Sequence, residues 1–169
     1  VSALMLATQM VVGAGDEVVA VVPVWPNLTA QPAILGGVVR RVSLQPRDGA
    51  WTLDLQRLLD TVTPATRMLL VNAPNNPTGW TLSRAEQVSI LDHCRETGTW
   101  IVADEVYERV WFGAGPVAPS FLDLAEPEDR LVVVPAFSVE APKTKMLFGQ
   151  LKNLGLENVL VVIEAQDEK

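Results

Sequence analysis

Five short apolar runs, each separated from the next by a stretch that reads as helix or turn, constrain this chain's fold more than any other feature. The runs are Glu17 to Val22, Val38 to Leu44, Arg67 to Asn72, Thr99 to Ala103 and Leu131 to Val134. Glu17 to Val22 is β-branched and unbroken, as expected for a strand buried on both faces. The intervening stretches carry helical signals. Ser2 to Val12 ends at Gly13, with Gly15-Asp16 as the turn, and Asn27 to Leu35 stops at Gly36-Gly37. Leu53, Leu55, Leu58, Leu59 and Val62 fall on one face of an amphipathic helix. Ser83-Arg84-Ala85-Glu86 is a capping box, so a helix opens there and runs to about Thr97-Gly98. A weaker helix is expected near Ser120 to Ala125. Strands alternating with helices predict an α/β fold, a mainly parallel sheet with helices on both faces.

A chain of 169 residues, 49% of them hydrophobic, is long enough to bury one real core. Its formal net charge of −7 argues against the clustered basic footprint of a nucleic-acid binder. The single cysteine, Cys94, has no partner for a disulfide within the chain, which suits a reducing, cytoplasmic setting. No apolar run reaches membrane-spanning length, so no membrane partner is expected. The first residue is Val1 and no basic segment precedes Ala3 to Val12, so the start reads as a truncation within a helix, not as a signal peptide.

In parallel α/β sheets, ligands bind beyond the carboxyl ends of the strands. Two polar clusters fall at such ends. Val71-Asn72-Ala73-Pro74-Asn75-Asn76-Pro77-Thr78-Gly79 closes one strand, and Asp104-Glu105-Val106-Tyr107 closes the next. Taken singly, the first is an ordinary turn and Asp104 an ordinary strand-end polar residue. Trp25, within Pro23-Val24-Trp25-Pro26, reads either as a core aromatic or as a ring platform. His93 and Cys94, late in the capped helix, read as a surface imidazole and a packed thiol, and no second histidine exists to build a metal site.

Taken together, in this order and spacing, the two clusters resemble the fold-type I, pyridoxal-phosphate-dependent aminotransferases of class I/II, the aspartate aminotransferase family. Asn-Pro-Thr-Gly and Asp-x-x-Tyr are signature elements there, and Gly15-Asp16-Glu17-Val18-Val19 with Pro23-Val24-Trp25-Pro26 is similar to the segment upstream. The resemblance covers about Val1 to Ser138. It implies a truncated aminotransferase major domain that binds pyridoxal 5'-phosphate. Asp104 would face the pyridine nitrogen, Asn76 and Tyr107 the ring oxygen, and Trp25 the ring face, while Val1 and Ser2 would edge the phosphate cradle. It also implies amino acid and 2-oxo acid substrates and a usually homodimeric enzyme.

One essential element departs from the pattern. Val133-Val134-Pro135-Ala136-Phe137-Ser138 leads up to the Schiff-base lysine, and Val139 stands where that lysine belongs. Lys143 and Lys145 follow in a different context. The chain is therefore expected to be inactive or very weak, with no catalytic residue assigned. Residues 139–169, or 129–169 at the widest match, resemble bacterial ribosomal large-subunit protein number four. That suggests a junction of two ancestries or a misassembled sequence. The alternative is a plain helix over Lys143 to Leu154 and a strand over Val159 to Ile163 that add apolar surface. The tail's lysines do not outnumber its acids, so RNA binding is not expected.

Overall fold

The computed structural model describes residues 1–135. The expected lysine position Val139, its neighbours Lys143 and Lys145, and the whole 139–169 segment lie outside the described residues. Within them the chain runs α1 (Ser2–Val11), β1 (Glu17–Val22), α2 (Pro26–Ile34), β2 (Val38–Ser43), β3 (Gln45–Arg47), β4 (Ala50–Thr52), α3 (Leu55–Thr61), β5 (Thr66–Asn72), α4 (Arg84–Thr97), β6 (Trp100–Glu105) and β7 (Leu131–Pro135). Strands β2-β1-β5-β6-β7 form one sheet in that order, and every neighbouring pair is parallel.

Side chains alternate between two faces, and each face has its own core. Val18, Ala20, Met68, Leu70, Trp100, Val102 and Val132 pack against Leu4, Ala7 and Val11 of α1 and Leu28 of α2. Their strand neighbours Val19, Val21, Leu69, Val71, Ile101, Ala103 and Val133 pack instead on Leu58 of α3 and Ile90, Leu91 and Cys94 of α4. Both faces of the sheet are covered, which is why β1, β5 and β6 read as apolar runs and not as alternating ones.

Turn chemistry sets the connections. Ser83 caps α4 by accepting from the Glu86 amide, while the Glu86 carboxylate accepts from the Ser83 amide, the reciprocal box expected from the sequence. Gly98 ends α4 with φ 73°, a left-handed value that favours glycine. One element was not expected from the sequence and one expectation is corrected. The stretch between β2 and α3 holds an antiparallel hairpin, β3 with β4, turned at Asp48 (φ 51°) and Gly49 (φ 79°). Both central residues have positive φ, as a tight hairpin turn requires, and Asp-Gly supplies them. The helix expected over Ser120 to Ala125 is a single 3₁₀ turn, Phe121–Asp123, started by the Ser120 hydroxyl accepting from the Leu122 amide. Its residues are pinned to β6 instead of extending: Glu105 accepts from the Ser120 hydroxyl at 2.5 Å and from the Phe121 amide at 3.0 Å.

Candidate functional site

The connection β1–α2–β2 passes on one face of the sheet and β2–α3–β5 on the other, so the strand order reverses beside β1. The carboxyl ends of β1, β5 and β6 meet at this switch, where an open parallel sheet leaves room for a ligand. Trp25 follows β1, Asn76 follows β5, and Asp104 and Tyr107 lie on and just after β6. The four residues singled out from the sequence therefore lie along one edge. Helix α1 contacts β6 and β7 and feeds β1 through a short turn, so its N-terminal end lies over the same strand ends.

Asp104 sits opposite Asn72 in the β5–β6 register and is 4% exposed. Its Oδ2 accepts from Asn72 Nδ2 at 3.2 Å, while Oδ1 is buried with no hydrogen-bond partner among the described residues. Burial disfavours its charged form and pushes the carboxyl up to about 6, against a weaker downward pull from the Val106 amide and the chain's amino terminus. A carboxylate so desolvated, with one oxygen uncommitted, suits a cationic N–H partner, and none of the described residues supplies one.

The Asn-Asn-Pro-Thr-Gly loop is held by its own side chains. Asn75 Oδ1 accepts from the Thr78 amide at 3.1 Å and from its hydroxyl at 2.7 Å, and the Gly79 amide donates to the Asn75 carbonyl. Gly79 takes φ 71°, which only glycine adopts freely. This frame presents Asn76, whose Nδ2 donates to the Tyr107 hydroxyl at 3.3 Å. That bond uses one amide proton and a phenol lone pair. The second amide proton and the phenol proton remain to be given to one acceptor between them.

Trp25 is 48% exposed at the start of α2, which disposes of the core-aromatic reading and leaves a ring open to stack on a flat ligand. Cys94 is the packed thiol expected from the sequence, its thiol pushed up to about 12 by burial and so unreactive. His93 lies half-buried, its Nε2 2.8 Å from the Val62 carbonyl, joining α4 to the end of α3. Among the described residues no cluster of His, Cys, Asp and Glu suits a metal ion, and no helix is long and apolar enough to cross a membrane. An open groove of about 560 Å³ between α1 and α2 is lined by Met5, Leu6, Ala30 and Ile34. It includes none of Asp104, Asn76 and Tyr107, so chemistry and not cavity size marks the site.

Sequence reasoning missed one residue of this arrangement. Asn72, 1% exposed, donates from Nδ2 to the Asp104 carbonyl at 3.0 Å as well as to its carboxylate, and accepts from the Asn76 amide at 2.7 Å. The only signal for it was its place as an amide closing an apolar strand.

A family model of aminotransferases of class I and II matches residues 1–139. The probable aspartate/prephenate aminotransferase of Aquifex aeolicus is 36% identical over 148 residues, which are 86% of this chain and 37% of that protein. The structure of N-succinyldiaminopimelate aminotransferase from Mycobacterium tuberculosis superposes with a TM-score of 0.70 at 31% identity, covering 79% of this chain and 34% of that one. Cystalysin from Treponema denticola, whose crystals contain pyridoxal 5'-phosphate, shares the fold at a TM-score of 0.70 and 20% identity, over 88% of this chain and 37% of that one. The chain thus spans about a third of the length of the relatives it matches.

Proposed function

This chain belongs to the class I and II aminotransferases, and from that membership we propose that its described residues form the part of such an enzyme that holds pyridoxal 5'-phosphate for amino-group transfer between an amino acid and a 2-oxo acid. The observation that carries the reading is the buried Asp104 carboxylate with an uncommitted Oδ1, beside the Asn76–Tyr107 pair, at the carboxyl ends of adjacent strands.

The residues fit that group chemically. A desolvated carboxylate suits a pyridine nitrogen that must stay protonated, because the charge missing around Asp104 is a positive one. Two protons converging from Asn76 and Tyr107 suit an anionic ring oxygen. The exposed ring of Trp25 offers a flat apolar face for the pyridine plane. When bound, the cofactor supplies an electron sink for the substrate's α-carbon. Asp104 keeps the ring nitrogen's proton in place, Asn76 and Tyr107 orient the ring through its oxygen, and Trp25 covers one face and excludes water from it.

In this reading Val139 occupies the place of the lysine that links cofactor to protein and moves the α-carbon proton. The chain as given then holds the cofactor without completing transfer. Residues 139–169, with their resemblance to a ribosomal protein, mark a junction of two ancestries, and a single uninterrupted DNA read across Ala136 to Lys143 checks that it is natural. Adding pyridoxal 5'-phosphate and recording visible absorbance before and after borohydride tests the binding reading and the inactivity together. The expected result is a reversible spectral change with no covalent label. A reduced adduct mapped by mass spectrometry to Lys143 or Lys145 overturns the inactivity, and no spectral change at millimolar cofactor overturns the binding.

A further inference from the structure

We propose that Asn72 is a positioning residue for this site, one buried side-chain amide setting both the Asp104 carboxylate and the backbone that carries Asn76. The inference deepens the cofactor-holding reading and rests on it. Asn72 is the last residue of β5, beside Asp104 in the sheet, and all its polar groups point to site segments. Nδ2 donates to the Asp104 carbonyl at 3.0 Å and to Oδ2 at 3.2 Å, and Oδ1 accepts from the Asn76 amide at 2.7 Å.

Each bond has a separate consequence. The bond to Oδ2 fixes the rotation of the carboxylate, which is why Oδ1 is the oxygen left for a ligand. The bond from the Asn76 amide fixes the first turn of the loop, and with it the side chain that meets Tyr107 at 3.3 Å. The spacing between the ring-nitrogen partner and the ring-oxygen partner is thereby set through one rigid planar group of three heavy atoms. Only glutamine carries the same carboxamide, and its extra methylene displaces that group from both segments. Aspartate keeps the acceptor and loses the donor, serine is too short to reach both segments, and leucine leaves a buried carboxylate unsupported.

The test uses the full chain with Asn72→Asp and Asn72→Ala. Two readouts need no cofactor: the ¹³Cγ resonance of Asp104 and the hydrogen-exchange rate of the Asn76 amide. A third is titration with pyridoxal 5'-phosphate by absorbance. Asn72→Asp is expected to move the Asp104 resonance, leave Asn76 protected, and weaken cofactor binding at least about tenfold, because both Nδ2 bonds to Asp104 are lost and a second carboxylate is set against Oδ2. Asn72→Ala is expected to move the resonance and also speed Asn76 exchange at least about tenfold. Reduced thermal stability with the Asp104 resonance and Asn76 exchange unmoved overturns the proposal, because a purely structural strand-end role predicts that pattern. If Asn72→Ala does not fold, the isosteric Asn72→Asp decides through the Asp104 resonance. If the wild-type chain takes up no cofactor, the cofactor-holding reading falls, while the two cofactor-free readouts still decide what Asn72 positions.

Discussion

Two buried carboxylates in this protein titrate in opposite directions, and the difference lies in what each touches. Asp129 would be raised by burial, but the Arg95 guanidinium grips it in a fork, Nε to Oδ1 at 2.7 Å and the terminal nitrogen to Oδ2 at 2.8 Å, and the balance falls below the usual carboxylate range. Asp129 therefore contributes stability above the ordinary carboxylate pKa that is lost as pH falls. Asp104 has no guanidinium to offset its burial, and the Val106 amide and the amino terminus pull only weakly the other way, so its carboxyl rises from 3.8 to about 6. Between these values the folded chain holds more protons than the unfolded one, and stability falls as pH rises through that window. Asp104→Asn is expected to stabilise the cofactor-free protein at pH 7.5 by up to roughly 3 kcal/mol and to have little effect below about pH 4, read from urea unfolding at the two pH values. The same substitution should abolish cofactor binding, a stability gain that costs function. Asp104, Asn76 and Tyr107 were legible in the sequence because their neighbours are as distinctive as they are. Asn72 was not, since an amide closing an apolar run looks the same whether it caps a strand or organises a site.

At the scale of single elements, the best-read helix is also the one with the most explicit ends. Helix α4 has its capping box at Ser83 and Glu86, a left-handed glycine at Gly98, and the Arg95–Asp129 pair joining its last turn to the approach of β7. Ser83→Ala removes the side-chain acceptor for the Glu86 amide and is expected to cost about 1 kcal/mol in chemical denaturation, with the cofactor affinity unchanged. The hairpin β3–β4 was not anticipated because each strand has three residues and five of the six are exposed, so no apolar alternation announces it. Asp48-Gly49 was the available cue. Phe121 and Leu122 have the apolar content of a helix, yet tethering to Glu105 stops them after one turn. That tether is a tertiary bond between residues 16 apart, which no local pattern records.

At the scale of the whole sheet, strand β2 closes one side, and its outer rim is paired with no other strand among the described residues. Its sequence VVRRVS places Arg40 and Arg41 mid-strand, and Arg40 pairs with Glu17 of β1. Charged groups along such a rim oppose pairing with another chain. Replacing both arginines, Arg40→Thr with Arg41→Val, is expected to leave the far-UV spectrum native while raising concentration-dependent light scattering, which dynamic light scattering checks directly. The layered fold itself followed from the five apolar runs, whereas the division of the strands between two separate cores required the register. That register carries one more consequence. Asn72 and Asp104 are the two ends of one rung of the β5–β6 ladder, so the gap between the two polar segments is one strand spacing, about 4.8 Å, whatever the chain does between them. The loop and helix over residues 80–99 are thus constrained only on their inner side, where Leu82, Ile90, Leu91 and Cys94 cover the sheet and the Trp80 carbonyl accepts from the Asn75 amide. Descendants of this fold are free to recompose the outer side of that stretch, provided it returns the chain to β6 in phase, while the two halves of the site stay at the same separation.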